Sequence, residues 1–507
     1  MVGIRISFLL VATLVVFINP GRQTASAQGP FSINGRVTEI SGTDVGISGV
    51  TLTLTLNTTI QRTAQTDSNG DFSFPNIAAG SDYNVVPSKP NFTFSPIAQG
   101  GTNLQGDRTL FFSGSGTTTS TVQFSAATLS ETESDSSITL TVTRSGGSTA
   151  GAASVDYATS DTAAANNCNV FNSAASSRCD YITTLGTLNF AANETSKNIS
   201  IPLVNDSYAE GSETFTVSLS NAIGTTLGSP GTTTITINDN ETVTGVNPID
   251  QATFFVRLHY IDFFSREPDA AGLAFWSNQI TSCGTDTACT ELRRVNVSAA
   301  FFISIEFQET GYLVYRMYKA YGNLPGAPVP VRLIEFLPDT QQIGRGVVVG
   351  QQGWEQALEN NKNAFAATFV SRPRFTTAYP TALTPADFVA QFFTNAGVPT
   401  TAAERQPFVD EFGGAANTVD SAARARALRR MAEQHTLTQQ EFNKAFVLMQ
   451  YFGYLRRNPN DPPESTLDFQ GYNFWLNKLN QFNRNFVDAE MVKAFITSGE
   501  YRQRFGP

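Results

Sequence analysis

The stretch Val50-Thr-Leu-Thr-Leu-Thr-Leu56 alternates apolar and polar residues with a period of two, and Ile138-Thr-Leu-Thr-Val-Thr143 repeats the pattern further along the chain. This alternation is typical of β-strands with one buried face, because successive side chains of a strand point to opposite sides of its sheet. The residues around these stretches are rich in Thr, Ser, Val, Ile and Gly. The pattern predicts β-sandwiches up to about residue 245.

Beyond that point the apolar residues recur three and four positions apart, as in Ala252–Phe264, Asn360–Val370 and Phe442–Leu455. This spacing predicts amphipathic helices. Because the strands precede the helices instead of alternating with them, the sequence favours separate domains over one parallel α/β sheet. The predicted fold class is therefore multi-domain, with two all-β sandwiches followed by an all-α repeat domain.

The composition excludes several classes of protein. With 41% hydrophobic and 15% charged residues, the chain can bury cores and is not disordered throughout. The net charge of −10 argues against nucleic acid or anionic lipid as a partner. Residues 28–245 contain seven basic and 18 acidic residues, so the acidity belongs to the β half. The two histidines, His259 and His435, leave little material for His-based catalysis or zinc enzymology.

The amino terminus has the pattern of a secretory signal peptide. One basic residue, Arg5, precedes an apolar run of 13 residues from Ile6 to Ile18, and the small-residue triplet Ala25-Ser-Ala27 follows. The run is too short to span a bilayer, and the triplet predicts cleavage after Ala27. No later apolar run is long enough to cross a membrane, so we expect the mature chain to be secreted, extracellular or at the cell surface, without a transmembrane segment.

The first β module is predicted over residues 28–112, where short strands and turn signals recur, as in Ile33-Asn-Gly-Arg-Val37 and Thr66-Asp-Ser-Asn-Gly-Asp-Phe-Ser-Phe74. It resembles the carboxypeptidase-regulatory-like and Cna-B-like modules of surface proteins, which implies an Ig-like or prealbumin-like sandwich. The Asp67–Asp71 segment is interpreted as a hairpin turn and not as a calcium loop, since a strand begins at once after it. The polar residues 113–121 predict a flexible linker.

The second β module, residues 122–242, carries its acidic residues at the predicted strand ends. Val204-Asn-Asp-Ser-Tyr-Ala-Glu-Gly-Ser-Glu-Thr-Phe215 and Thr234-Ile-Thr-Ile-Asn-Asp-Asn-Glu241 are the densest examples. If these ends meet at one pole of the sandwich, the repulsion between the carboxylates requires a cation. Ca²⁺ accepts six to eight oxygen ligands in a flexible shell, whereas Mg²⁺ prefers a stricter octahedron, so the pattern favours calcium.

These segments, in this order, resemble the Calx-beta family, the calcium-binding sandwich of sodium–calcium exchangers and of many bacterial surface proteins. The resemblance implies Ca²⁺ as cofactor and assigns the ligand role to Glu133, Asp180, Asp206, Glu210, Glu213, Asp239 and Glu241, with Glu131 as an alternative to Glu133. Asn205 and Asn240 stand where fuller calcium-binding members carry acids, which implies weaker affinity and fewer ions. The alternative is a sandwich that has lost calcium and keeps these acids in solvated turns.

The four cysteines form two close pairs, Cys168 with Cys179 and Cys283 with Cys289. In an oxidising compartment an even number in two local pairs predicts two disulfides that pin loops. A four-thiolate zinc site is the alternative, but neither spacing is Cys-x-x-Cys.

The helical half, residues 250–507, contains internal repeats. Phe255 to Trp276 and Phe446 to Trp475 keep the order Phe-Val…Tyr…Arg-x-Pro…Gly-x-x-x-Trp, which predicts copies over about 252–307 and 442–501 and a degenerate middle copy over about 363–412. Prolines at 268 and 459 are expected to end a helix, glycines at 272 and 471 to allow a tight start to the next, and the tryptophans at 276 and 475 to anchor the pair.

Two further interpretations concern side chains of these repeats. Arg266 and Arg457 are expected to cap a helix carboxyl end. The aromatic residues at helical spacing, with His259 among them, are expected to be core. The repeats resemble domain-of-unknown-function family 4214, itself likened to phycobilisome linker domains, which implies architecture and no established activity.

The sequence shows no Gly-x-Ser-x-Gly elbow, P-loop, His-Glu-x-x-His or Rossmann glycine pattern in a usable context, so we predict that the chain is not an enzyme. The function expected from these modules is a secreted or cell-surface protein with structural calcium that mediates adhesion or protein and matrix contacts, with possible self-association. The alternative is an extracellular carbohydrate-active or hydrolytic enzyme with its site in the helical half.

Overall fold

A computed structural model describes residues 30–40, 45–90, 92–116, 119–160, 168 and 173–507. The chain divides into two compact units, residues 1–118 and residues 119–507. The signal peptide predicted for residues 1–27 lies outside the described residues. The predicted fold class is confirmed, since two β-sandwiches precede a helical region.

The first unit is a sandwich of two four-stranded sheets. Its strands are β1 Phe31–Glu39, β2 Thr51–Leu56, β3 Ile60–Gln65, β4 Asp71–Ile77, β5 Tyr83–Ser88, β6 Phe92–Ser95, β7 Gln99–Gly101 and β8 Arg108–Gly116. The strand orders are β4-β1-β8-β6 and β3-β2-β5-β7, with β1 and β8 parallel. Every second residue of β2 is buried, as the alternation at 50–56 predicts.

The end of β8 corrects the predicted linker. Ser113–Gly116 belong to this strand and pair with β6, so they are part of the first sandwich and not a flexible connection. The polar composition misled the prediction because small Ser and Gly side chains fit closely between strands: a Cβ on Gly114 would lie 2.6 Å from the Ile47 side chain.

The second unit begins with a sandwich of nine strands in the described residues. They are β9 Thr121–Phe124, β10 Thr128–Thr132, β11 Ser137–Ser145, β12 Ala153–Ser160, β13 Leu185–Phe190, β14 Ser196–Pro202, β15 Glu213–Ile223, β16 Thr226–Leu227 and β17 Thr232–Asn238. The two sheets have the orders β10-β17-β15-β12-β13 and β14-β11-β9-β16. β17 pairs parallel with β10 on one side and antiparallel with β15 on the other. One pole of the sandwich therefore contains the ends of β10 and β17 and the start of β15.

Helices form the rest of this unit. They are α1 Ala252–Phe264, α2 Ala270–Thr281, α3 Thr287–Ile303, α4 Ile305–Glu309, α5 Gly311–Tyr318, α6 Leu333–Gly344, α7 Trp354–Ser371, α8 Pro373–Ala378, α9 Pro385–Ala396, α10 Ala402–Val409, α11 Ser421–Ala432, α12 His435–Gln450, α13 Gln470–Gln481, α14 Met491–Ile496 and α15 Gly499–Arg502, and a π-helical turn, Tyr451–Leu455, extends α12. Within the described residues, no helix has both the length and the apolarity to cross a membrane.

The first and last repeats adopt the same local structure. Each first helix ends in a residue of left-handed conformation, Ser265 or Arg456, several residues before the proline. Trp276 packs on Phe301 and Trp475 on Phe495, both with ring centroids 5.9 Å apart, which confirms the expected anchors.

The glycines of the two repeats allow close approach. A Cβ on Gly272 would lie 2.3 Å from the Tyr260 hydroxyl, and one on Gly471 would lie 2.9 Å from the Tyr451 hydroxyl. Both distances are shorter than a carbon–oxygen contact allows. The first turns of α2 and α13 can therefore pack against a tyrosine only because Gly272 and Gly471 have no side chain.

The two repeat arginines do not cap helix ends, which corrects that expectation. Arg266 forms a two-pronged ion pair with Glu306, and Arg457 forms the corresponding pair with Glu500. Each arginine binds a glutamate near the end of its own repeat, because a planar guanidinium matches a carboxylate better than it matches single carbonyls. His259 is buried and bonded to the Phe255 carbonyl and the Ser298 hydroxyl, as expected of a core residue.

Candidate metal centre

The pole of the second sandwich gathers carboxylates into two groups of three. Glu133, just after β10, approaches Asp239 and Glu241, just after β17. Asp180 approaches Glu210 and Glu213, where Glu213 is the first residue of β15. Within each group one carboxylate oxygen per residue lies within 4.8 Å of the others, a spacing that fits oxygen ligands around one cation.

Asp206 connects the two groups. It is buried, and its electrostatic neighbours are Glu133 of one group and Asp180 and Glu210 of the other. Its backbone N–H donates to Glu133 Oε1 at 2.6 Å, and its Oδ1 accepts from the Tyr208 N–H at 2.7 Å. The loop that carries Asp206 is therefore bound to Glu133, and the Asp206 carboxylate lies among acids of both groups.

Backbone donors also fix Asp239. Its Oδ2 accepts from the N–H groups of Glu210 and Gly211, each at 2.7 Å, and its Oδ1 accepts from the Glu241 N–H at 2.7 Å. Gly211 has a left-handed backbone, with φ of +80°, which favours glycine at this turn. These bonds join the loop before β15 to the loop after β17, so the two groups share one framework.

The carboxylates are deprived of water and face one another. The pKa is raised to about 8 for Glu133, to about 9 for Glu210 and to about 10 for Glu213. Burial is the largest cause, and the negative charge of neighbouring carboxylates adds to it. The pKa of Asp206 is also raised well above its usual range, by burial first and then by the charge of Glu133. The charges that act on these four groups come from other acids, and a cation would relieve both burial and repulsion.

Three buried oxygens here have no hydrogen-bond partner among the described residues. They are Oδ2 of Asp206, Oε2 of Glu241 and Oδ1 of Asn205. An unpaired buried oxygen is costly, and hard oxygen donors from carboxylates and amides are the ligands of calcium. The residues at this pole therefore fit a calcium ion by donor type, number and unsatisfied valence.

All seven residues assigned by family resemblance lie at this pole. Six belong to the two groups, and Asp206 lies between them. The alternative Glu131 is not in either group, because it points from within β10, opposite Ile237. Asn205 keeps an oxygen at the pole, whereas the Asn240 amide donates to Glu241 at 2.7 Å.

Both predicted disulfides are present. Cys168 is bonded to Cys179 and Cys283 to Cys289, so these sulfurs are not available to a four-thiolate zinc site. The first disulfide ends at the residue before Asp180, and the Asp180 carboxylate accepts from the Ser176 N–H. The bridge thus anchors the loop that brings Asp180 to the pole.

Two family models match parts of the chain. Residues 117–241 match the Calx-beta domain. The middle module is a Calx-beta domain. Residues 28–108 match the second beta sandwich domain of the BOS complex subunit NOMO1-like family, which differs from the two families that the first module resembles by sequence. Both matches lie outside residues 250–507, so the resemblance of the helical half to domain-of-unknown-function family 4214 stays a prediction.

Solved structures give matches of limited extent, and no curated protein matches the chain. The apo form of the Calx CBD1 domain is 23% identical over 24% of this chain and 99% of that chain, with a TM-score of 0.21. The calcium binding domain CBD12 of CALX1.1 is 25% identical over 24% of this chain and 45% of that chain, also with a TM-score of 0.21. The major pilin subunit BcpA of Bacillus cereus is 9% identical over 41% of this chain and 68% of that chain, with a TM-score of 0.19.

The helical half has an aromatic pocket of about 440 Å³ beside the first repeat, lined in part by Tyr260, Trp276 and Phe301. Two acids, Asp269 and Glu306, border it. Each is already engaged, because Asp269 caps α2 through the Gly272 N–H and Glu306 pairs with Arg266. Both acids therefore have a structural role in the first repeat.

Proposed function

We propose that the chain is a secreted or cell-surface, non-catalytic modular protein whose Calx-beta domain binds calcium as a structural ion. The observation that supports this most is the convergence of seven buried or half-buried carboxylates on one pole. Two of their oxygens, and the Asn205 amide oxygen beside them, lack partners among the described residues. The neighbouring disulfides also support an oxidising compartment outside the cytoplasm.

The chain's own residues would act as a preformed ligand frame. Glu133, Asp239 and Glu241 would hold an ion at one group, and Asp180, Glu210 and Glu213 at the other, with Asp206 between them. When bound, calcium supplies positive charge where these acids repel one another. The expected consequence is a set of rigid loops at the pole, which orients the modules that mediate adhesion or contacts with a protein or matrix partner.

Isothermal titration of the chain with Ca²⁺ tests the proposal directly, and Mg²⁺ tests the selectivity. We expect heat of binding with calcium and much weaker binding with magnesium, because the crowded carboxylates suit a larger, flexible shell. At a free calcium concentration a hundredfold above the dissociation constant, binding contributes about 2.7 kcal/mol to stability.

Asp206→Asn combined with Glu210→Gln removes two carboxylates from the pole, and we expect loss of the calcium heat. Glu131→Gln is the matched control, since it removes an acid of the same domain that is not in either group. Equal calcium binding by the control and the double variant, or none by the parent chain, contradicts the assignment. Light scattering with and without calcium measures self-association.

A further inference from the structure

The loops that carry the acidic pole also enter the core of the helical half. Ile182 and Val204, of the sandwich, are at most 1% exposed and belong to the same hydrophobic cluster as the helices. Each stands two residues from a pole carboxylate, Ile182 after Asp180 and Val204 before Asp206. The Val204 N–H donates to the Asp180 carbonyl at 2.9 Å, which connects the two loops.

The end of the chain binds to these same loops. We call residues 499–506, which include α15, the carboxy-terminal segment. Ser207, next to Asp206, donates to the Phe505 carbonyl through both its N–H, at 3.1 Å, and its hydroxyl, at 3.0 Å. The Tyr208 hydroxyl donates to the Gln503 carbonyl at 3.3 Å. A Cβ on Gly506 would lie 2.2 Å from Ser207 Oγ, so the approach is too close for any other residue.

An ion network extends the contact to the other loop. Arg178, two residues before Asp180, pairs with Glu500 at 3.0 Å. Its carbonyl accepts from Arg504 Nε at 2.7 Å. Glu500 also binds Arg457 of the last repeat. In the first repeat, Arg266 donates to Glu306 and to the Glu267 carbonyl, both in the helical half. The last repeat is therefore joined to the loop of Asp180, while Arg257 of the first repeat donates to the Leu203 carbonyl at 2.9 Å in the loop of Asp206.

From this continuity we propose that calcium binding at the acidic pole and docking of the carboxy-terminal segment are energetically coupled, so that each strengthens the other. The inference rests on the proposed calcium function. Ligation of Asp180 and Asp206 fixes the backbone from which Arg178, Ser207 and Tyr208 reach the segment. Without a cation the carboxylates repel, the two loops separate and the same three contacts weaken. Because linkage is reciprocal, the docked segment raises calcium affinity by the factor by which calcium favours docking.

Hydrogen exchange and calcium titration of the full chain test the coupling together. In the parent chain we expect calcium to slow amide exchange in residues 499–506 at least fivefold. Ser207→Ala and Glu500→Gln remove contacts to the segment without altering a pole carboxylate. We expect each to weaken calcium binding about fivefold or more, the lower end of typical coupling between sites.

Glu490→Gln is the matched control for Glu500→Gln, because Glu490 pairs with Lys478 on the surface of the same region, away from the sandwich. We expect its calcium affinity to equal that of the parent chain. If a segment variant fails to fold by circular dichroism, the exchange experiment on the parent chain decides alone.

The outcomes separate the two proposals. Calcium binding with unchanged exchange in the segment and unchanged affinity in the folded variants overturns the coupling and leaves the calcium function standing. Faster exchange of the segment with calcium also overturns it, since the ion would then oppose docking. Absence of calcium binding to the parent chain overturns both.

Discussion

Buried acids are treated in opposite ways in the two halves of the second unit. In the helical half each buried acid of the described residues faces a basic side chain, as in the Arg504–Asp262 pair, which is at most 1% exposed, and the Lys319–Glu441 pair. At the pole of the Calx-beta domain the acids face other acids, and their pKa values rise. The difference shows that the helical half neutralises the charges of its buried acids with its own basic side chains, whereas the sandwich brings its acids close to one another.

The largest expected effect comes from breaking an internal pair. Asp262→Asn leaves the Arg504 guanidinium buried without its carboxylate, although it keeps the carbonyls of Arg178 and Tyr454. Removal of one partner of a buried pair typically costs about 3–5 kcal/mol. Differential scanning calorimetry in chelator should show a melting temperature well below that of the parent chain. A variant that melts like the parent chain would show that this charge is solvated.

Replacing an acid at the pole by its amide is expected to stabilise the domain in chelator, whereas Asp262→Asn destabilises the helical half. Glu213→Gln removes one of the mutually repelling acids, and the pKa of Glu213, raised to about 10, shows how unfavourable its charge is. In chelator we expect stabilisation of about 1–3 kcal/mol, since a tenfold change in proton affinity corresponds to about 1.4 kcal/mol. With calcium the variant should lose most of the ion's stabilisation.

Calorimetry of Glu213→Gln in chelator measures the stabilisation, and calorimetry with calcium measures the loss of the ion's contribution. Glu131→Gln is the control for removing a charge away from the two groups. Destabilisation in chelator would mean that the Glu213 carboxylate already has a favourable partner. In that case the two halves of the unit would not differ in the way described above.

The third expected effect is on pH dependence. Folding raises the pKa of Glu133 to about 8 and of Glu210 to about 9, so the folded domain holds protons that the unfolded chain releases. Without calcium, stability therefore rises as pH falls from about 9 towards the unfolded value near 4.5. Calcium must displace these protons, so its affinity should fall on acidification by about tenfold per pH unit for each proton displaced.

Calcium titrations between about pH 6 and pH 9 measure this dependence. The buffers should differ in ionisation heat, so that proton release is counted directly. Affinity that does not change over this range would show that the pole carboxylates are already ionised in the folded chain.

Local patterns predicted most of the fold, and contacts distant in sequence were missed. The alternation at 138–143 and the helical spacing at 252–264 specify β11 and α1 because each depends on neighbours within one element. The pole was predicted because its acids stand at strand ends. Arg178 was not singled out, since its partner Glu500 is 322 residues away.

The predictions of a linker at 113–121 and of helix capping by Arg266 and Arg457 were wrong because both depend on partners elsewhere in the chain. Polar Ser and Gly residues at 113–116 form strand because β6 pairs with them, and composition alone does not reveal a pairing partner. Arg266 binds Glu306, 40 residues further along the chain, and no spacing rule connects this glutamate to a guanidinium. The sequence does contain one indication, because a glutamate precedes an aromatic residue near the end of both repeats, as Glu306-Phe307 and as Glu500-Tyr501.

The smallest expected effect belongs to a pair at the surface. Lys478 and Glu490 lie 3.5 Å apart, and Glu490 is 66% exposed, so water screens their attraction. Glu490→Gln is expected to change stability by less than about 1 kcal/mol, and the change should diminish further in high salt. Urea unfolding at low and high salt measures it. An effect as large as that of Asp262→Asn would mean that burial does not set the value of these pairs, because the two changes remove the same charge and differ chiefly in their access to solvent.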